Sequence, residues 1–148
     1  MTHYDLLLHQ TRLAFDVDDE MSLKASLTGV TDEVADWQPN ALDATIAGIV
    51  WHVAWCKLWY CEQAFGKLPV SLDEPSSYTG KVERLDQAQE HLIRCIEGCS
   101  AEWFDKPVAT KFHNTSGAHL LTILAIHDVS HGSSIRARKR LHTASAAT

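Results

Sequence analysis

The stretch His127-Asp128-Val129-Ser130-His131 lies inside an apolar run that begins at Leu120. Apolar side chains recur along this run at helical spacing on more than one face, which predicts a largely buried α-helix. His127 and His131 are four residues apart, so a helix places their rings on one face. Because Leu120 and Leu124 extend that face backward, both imidazoles are predicted to point toward the core.

An HxxxH pair on a helix can supply two ligands of a transition metal, since neutral imidazole is the commonest protein ligand for such ions. A third candidate, His52, lies in the other strongly apolar segment, and it shares a helical face with Ile49, Cys56 and Trp59. A buried ring without a partner costs about 1–3 kcal/mol, so His52 needs a metal, a backbone carbonyl or another side chain. Three core-facing histidines on two helices favour the metal.

Three segments resemble parts of a known family. Residues 45–54, Thr-Ile-Ala-Gly-Ile-Val-Trp-His-Val-Ala, resemble the second-helix signature of the DinB/YfiT-like superfamily of small four-helix metalloproteins. Residues 127–135, His-Asp-Val-Ser-His-Gly-Ser-Ser-Ile, resemble its fourth-helix signature, and residues 32–39 resemble the turn-plus-proline segment that precedes its second helix. The family often continues after its last histidine with an Arg-Gly-Gln-Ile-type stretch. Here residues 132–135 are Gly-Ser-Ser-Ile, which lack that glutamine.

The resemblance implies a divalent-metal site formed by His52, His127 and His131. It also implies a metal-dependent S-transferase or isomerase that acts on a small-molecule substrate with a low-molecular-weight thiol. The ligand set leaves the metal open among Zn, Ni, Fe and Mn, since all four accept imidazole. Three protein ligands leave a coordination position open for water or substrate, which is typical of catalytic rather than structural zinc. The alternatives are a non-catalytic metal-binding or stress-related dimeric module, and a structural bundle with core histidines.

Other side chains are candidates for substrate contact. Trp55 and Trp59 are predicted either to line the metal pocket or to pack against a neighbouring helix or subunit. Arg138 falls on the histidine face, where it could bind an anionic substrate or cofactor, although cations in the last turns of a helix also favour its dipole. Asp128 is adjacent to a ligand but off its face, which predicts either a residue behind the ligands or a surface residue.

Composition narrows the class of protein. A chain of 148 residues is expected to form one domain. The net charge of −6 argues against nucleic acid as a partner. No segment has the apolar length that a membrane span needs, and the N-terminus lacks a secretory pattern, so we expect a cytoplasmic protein. Four cysteines lie within helical patterns without C-x₂-C spacing, which favours free thiols over a four-cysteine zinc site: Cys56, Cys61, Cys95 and Cys99.

The pattern along the chain predicts an all-α fold, an up-down-up-down four-helix bundle with a small hairpin before the last helix. The first three helices are expected over residues 2–27, 43 or 45–65, and 82–98. Residues 67–80 form a long loop and a candidate lid. One DinB-like domain is expected over residues 1–142, with a disordered tail at 143–148.

Three further histidines are expected to lie away from the core. His91 falls beside the apolar stripe of the third helix and is placed off its core face, while His113 and His119 are placed on the surface. The second helix carries much aromatic area. We therefore expect a homodimer that buries either the surface of Trp51, Trp55 and Tyr60 or the first helix.

Overall fold

The computed structural model describes residues 2–66 and 70–147, and these form the predicted all-α bundle with one small hairpin. None of the described helices is long and apolar enough to cross a membrane. The elements in chain order are α1 (His3–Arg12), α2 (Leu23–Ser26), α3 (Asp32–Asp36), α4 (Ile46–Phe65), α5 (Tyr78–Glu97), β1 (Pro107–Ala109), β2 (Asn114–Ser116) and α6 (Gly117–Ala146).

The predicted first helix is interrupted. After α1 the chain makes a π-helical turn over Leu13–Val17 and then leaves the helix at Asp18. The carboxylate of Asp18 accepts hydrogen bonds from the backbone N–H groups of Glu20 and Met21, and the Ser22 hydroxyl accepts one from Ala25. Such local side-chain bonds compete with helical ones, so the prediction of one continuous helix over 2–27 was wrong.

The second helix has the predicted ends. The Thr45 hydroxyl accepts a hydrogen bond from Gly48 N–H at 2.9 Å and caps the first turn of α4. Gly66 ends the helix with φ of 65°, a left-handed conformation that glycine adopts without steric cost. The third helix, α5, begins at Tyr78 rather than at residue 82. In the loop predicted over residues 67–80, residues 67–69 lie outside the described residues, and the role of that loop as a lid stays a prediction.

The hairpin is present, but residues 114–117, which the pattern Asn-Thr-Ser-Gly predicts to be its turn, do not form the turn. Asn114 pairs with Ala109 and belongs to β2, so residues 110–113 make the turn. Thr110 N–H donates to the carbonyl oxygen of His113 at 2.7 Å across that turn. At the other end of α6 the helix continues through Ala146, where we expected a disordered tail. Residue 148 lies outside the described residues.

Two apolar clusters form the core of the described part of the chain, and α4 and α6 contribute to both. The first also draws on α2 and α5, and its buried members include Phe15, Leu23, Val50, Val53, Leu58, Leu85 and Ile135. The second includes Leu7, Cys61, Leu92, Ile96, Phe104, Leu121 and Leu124. Burying one such large aliphatic side chain stabilises a fold by about 1.5–3 kcal/mol. The shared core therefore fixes the relative positions of α4 and α6, the helices that carry the predicted metal ligands.

Candidate metal centre

The structure brings the three predicted ligands together. His52 projects from α4, and His127 and His131 project from α6. Nε2 of His127 lies 3.2 Å from Nε2 of His52 and 3.2 Å from Nε2 of His131. Two nitrogens bound at 2.0–2.1 Å to one metal are about 2.9–3.4 Å apart, depending on coordination geometry. The three rings thus have the spacing of ligands to a single ion, and they form a candidate metal-binding group.

The electrostatics of the site keep the α6 rings neutral. Burial lowers the pKa of His127 to about 4, with further lowering by His131, His52 and Lys57. Burial also lowers the pKa of His131, helped by His52 and Arg138. Neutral imidazole is the form that offers a lone pair to a metal. At neutral pH both α6 histidines are therefore ready to act as ligands without first losing a proton.

The far sides of these rings have no protein partner among the described residues. The Nδ1 atoms of His127 and His131 are buried, and neither makes a hydrogen bond in that part of the chain. Metal-binding histidines usually donate this second N–H to a carboxylate, a carbonyl oxygen or water. The chain positions the two rings by their place on α6 and by mutual contact, with ring centroids 4.4 Å apart.

Asp128 is neither a surface residue nor a partner of the histidine rings. It is fully buried, and its Oδ2 accepts a hydrogen bond from Nζ of Lys57 at 2.6 Å. Burial raises the pKa of the Asp128 carboxyl, while the charge and hydrogen bond of Lys57 oppose that rise. We had not predicted a buried Lys57. The available signal was its spacing, because it lies seven residues after Val50 and four after Val53, both core residues.

An aromatic cavity adjoins the histidines. It has a volume of about 450 Å³ and is lined by His52, Trp55, Cys56, Trp59, Tyr60, Phe112, His113, Ile123, Leu124 and His127. The Trp55 and Trp59 rings stack with centroids 6.0 Å apart, so both predicted aromatics lie beside the candidate ligands. The hairpin turn supplies Phe112, whose ring lies 5.4 Å from that of Trp59. His113 lines this cavity, so its placement as a plain surface residue was wrong.

Cys56 is the thiol nearest to the candidate ligands. Its Sγ lies 3.7 Å from Nε2 and 3.8 Å from Nδ1 of His52. Burial raises the pKa of the Cys56 thiol to about 11, although the charge of Lys57 lowers it slightly. Without a metal this sulfur is protonated at neutral pH and is a weak nucleophile.

Arg138 contacts the backbone rather than the cavity. Its Nε donates to the carbonyl oxygen of Ala44 at 2.6 Å, and its Nη1 donates to that of Ser134 at 3.3 Å. The bond to Ala44 ties α6 to the segment that leads into α4. Its role in binding an anion stays a prediction.

A family model described as the DinB superfamily matches residues 17–135, which is more than half of the chain. The chain belongs to the DinB superfamily. This confirms the resemblance seen in the second-helix and fourth-helix segments. The matched part of this DinB chain contains all three candidate ligands, His52, His127 and His131. Comparisons with curated proteins and with solved structures gave no match.

Proposed function

We propose that this DinB protein is a metal-dependent enzyme that transfers or isomerises a small molecule with the help of a low-molecular-weight thiol. One observation carries the proposal. Nε2 of His127 lies 3.2 Å from Nε2 of His52 and 3.2 Å from Nε2 of His131, beside an aromatic cavity large enough for a small substrate. A structural metal is usually enclosed by four protein ligands. Here three histidines form the group, and the cavity beside them leaves room for a further ligand.

His52, His127 and His131 would hold the divalent metal. When bound, such an ion supplies Lewis acidity that lowers the pKa of a thiol or water at its open position. The chain contributes the fixed neutral imidazoles and the flat Trp55–Trp59 wall, against which a planar substrate can stack. The largely apolar lining of the cavity also limits competition from water.

The family resemblance favours a low-molecular-weight thiol that comes from solution. In the proposed transfer, the sulfur of the external thiol forms a bond to an electrophilic carbon as the bond to the leaving group breaks. The thiol proton passes to solvent, and the leaving group departs with the electron pair. In an isomerisation the thiol would add to the substrate and later be released.

Turnover by the metal-loaded protein tests the proposal. Untagged protein would be stripped with a chelator, reloaded separately with Zn, Ni, Fe or Mn, and assayed for conjugation of several low-molecular-weight thiols to a chromogenic electrophile. We expect at least one metal and thiol pair to give turnover. His127→Ala should reduce that rate about 100-fold or more, because a ligand contributes at least as much as the groups behind it.

His119→Ala is the matched control, since this exposed histidine lies on the same helix away from the candidate ligands. It should keep both metal and activity. Metal bound through His127 with no turnover for any thiol would support the non-catalytic metal-binding alternative. Equal loss of turnover in both variants would contradict the assignment of the three histidines.

A further inference from the structure

A second group of metal-ligating side chains lies between α4 and α5. Cys61 comes from α4, and His91 and Cys95 come from α5. One donor atom from each of the three lies within 4.8 Å of the other two, and Sγ of Cys95 is 3.5 Å from Nε2 of His91. His91 is buried, which corrects its predicted place off the core face of the third helix.

The separation of Cys95 Sγ and His91 Nε2 fits two ligands of one thiophilic ion. With Zn–S near 2.3 Å and Zn–N near 2.0–2.1 Å, a tetrahedral site separates sulfur from nitrogen by about 3.5 Å and the two sulfurs by about 3.8 Å. The observed separation of Cys95 Sγ and His91 Nε2 is 3.5 Å. Two thiolates and a neutral imidazole would balance the charge of a divalent ion, and a neutral complex suits an apolar surrounding.

We propose that Cys61, His91 and Cys95 form a second metal site, selective for zinc or another thiophilic ion and separate from the three-histidine centre. Cys61 is nine residues beyond His52 on the same helix, which is about 13 Å along the helix axis. The two groups therefore cannot share one ion. A metal held by Cys61 from one helix and by the other two from the next would tie α4 to α5 and stabilise the folded chain.

The surroundings of this group limit access from solvent. Cys61 is fully buried in the second apolar cluster, next to residues such as Leu92, Ile96 and Phe104. Cys95 is partly exposed as a residue. The stripe His91-x₃-Cys95 was visible in the sequence, but its partner Cys61 lies 30 residues earlier and only helix packing places it opposite.

Cobalt substitution tests the proposal on the full chain under reducing conditions. Co²⁺ bound to thiolates shows a near-ultraviolet sulfur-to-metal charge-transfer band that imidazole ligands alone do not give. Wild-type protein should bind two Co²⁺ ions per chain and show the band. His127→Ala should lose one ion and keep the band. Cys61→Ser with Cys95→Ser should lose one ion and the band together.

Cys56→Ser is the matched control, because Cys56 lies on α4 next to His52 rather than in this group. It should keep the band. A wild-type protein that binds cobalt without the band, or a band that disappears in Cys56→Ser and persists without Cys61 and Cys95, would overturn the proposal.

A thermal readout covers the case in which loss of the buried Cys61 impairs folding. Zn²⁺ should raise the melting temperature of His127→Ala, in which the first centre is disabled. The gain should vanish in His127→Ala with Cys95→Ser, which changes only the partly exposed cysteine. An equal gain in both proteins would contradict the second site. No readout here depends on turnover, so the second site and the enzymatic proposal can fail separately.

Discussion

Lys57 and Asp128 form an ion pair in the bundle core, with side-chain exposures of 0% and 1%. Removing two charges from water costs several kcal/mol per ion, and their attraction offsets this only when both partners are present. Oδ1 of Asp128 has no hydrogen-bond partner among the described residues, so the pair is not fully satisfied. Because Asp128 is next to His127, the pair also fixes the turn of α6 that carries two candidate ligands.

Loss of one partner should therefore cost much more than loss of both. We expect Asp128→Ala to lower the free energy of unfolding by about 3–5 kcal/mol, because Lys57 is left buried and unpaired. Lys57→Met combined with Asp128→Leu should recover most of that loss. Urea unfolding of the single and double variants measures the coupling.

The partly exposed pair of Lys24 and Asp86 provides the control for this cycle. Asp86→Ala should change stability by only about 0–1 kcal/mol. If Asp128→Ala lowers the free energy of unfolding no more than Asp86→Ala does, the proposed cost of an unpaired buried charge is contradicted.

The lowered pKa of His127 makes a second prediction at this scale. The unfolded chain takes up a proton near pH 6.5, whereas folded His127 does so only near pH 4. The unfolded state then binds more protons between these values, so stability is full above pH 6.5 and falls as the pH drops toward 4. In chelator, the melting temperature should follow this course.

His127→Ala should make the fall shallower but should not abolish it, since the pKa of His131 is lowered as well. Melting curves of both proteins across pH 4–8 test this. Identical slopes would show that His127 is not held neutral by its surroundings.

At the scale of elements, the start of α6 depends on the absence of a side chain at Gly117. A Cβ built there would lie 2.5 Å from the ring of Trp103 and 2.7 Å from its carbonyl oxygen. Trp103 belongs to the 3₁₀ turn Ala101–Phe104, and its ring stacks on Phe65 at the end of α4. Gly117 therefore lets this turn pack closely against the last helix.

Gly117→Ala should lower stability by about 1–3 kcal/mol through overpacking, because backbone atoms of the turn cannot easily move away. Gly132→Ala on the same helix is the control, since its nearest contacts would be 3.5 Å or more. That change should be neutral or stabilise by up to about 1 kcal/mol through helix propensity. Thermal unfolding compares the two, and an equal cost at both positions would contradict the packing argument.

At the scale of the whole molecule, an apolar groove remains on the surface between the first helical segment and α6. Its volume is about 530 Å³, and its lining includes Leu13, Met21, Ile126 and Val129. Ile126 is 63% exposed and Met21 is 53% exposed. The Trp55 and Trp59 rings, by contrast, line the cavity beside the histidines. Of the two surfaces expected for a dimer, we therefore favour the one that includes the first helix.

We expect a homodimer that buries this groove, so light scattering should give about twice the 16.5 kDa chain mass. Ile126→Glu should shift the protein to monomer, because a charge in the interface is costly to bury. Leu141→Glu, at an exposed position of the same helix outside the groove, should leave the dimer intact. A wild-type particle of chain mass at micromolar concentration would contradict the dimer.

The sequence by itself determined the features that depend on near neighbours along the chain. Apolar spacing predicted the bundle, and the second helix expected from residue 43 or 45 to residue 65 is observed over Ile46–Phe65. The four-residue interval between His127 and His131 placed both rings on one face. The prediction of one continuous first helix failed at Asp18, because its carboxylate accepts hydrogen bonds from the nearby backbone N–H groups of Glu20 and Met21. The resemblance to the family segments then predicted that His52 joins His127 and His131 as the third ligand.

Only the tertiary structure decided which side chains meet across helices. Lys57 reaches Asp128 over 71 residues of chain, and Cys61 faces His91 over 30. Spacing within a helix tells which residues share a face, but it does not fix how far two helices slide or rotate against each other. That choice is made by packing of the shared core, where close-packed side chains permit one arrangement. The HxxxH spacing and the family segments predicted the three-histidine centre. The expectation that all three rings face the core was wrong for His52, which is exposed. The second group could be found only from the helix packing.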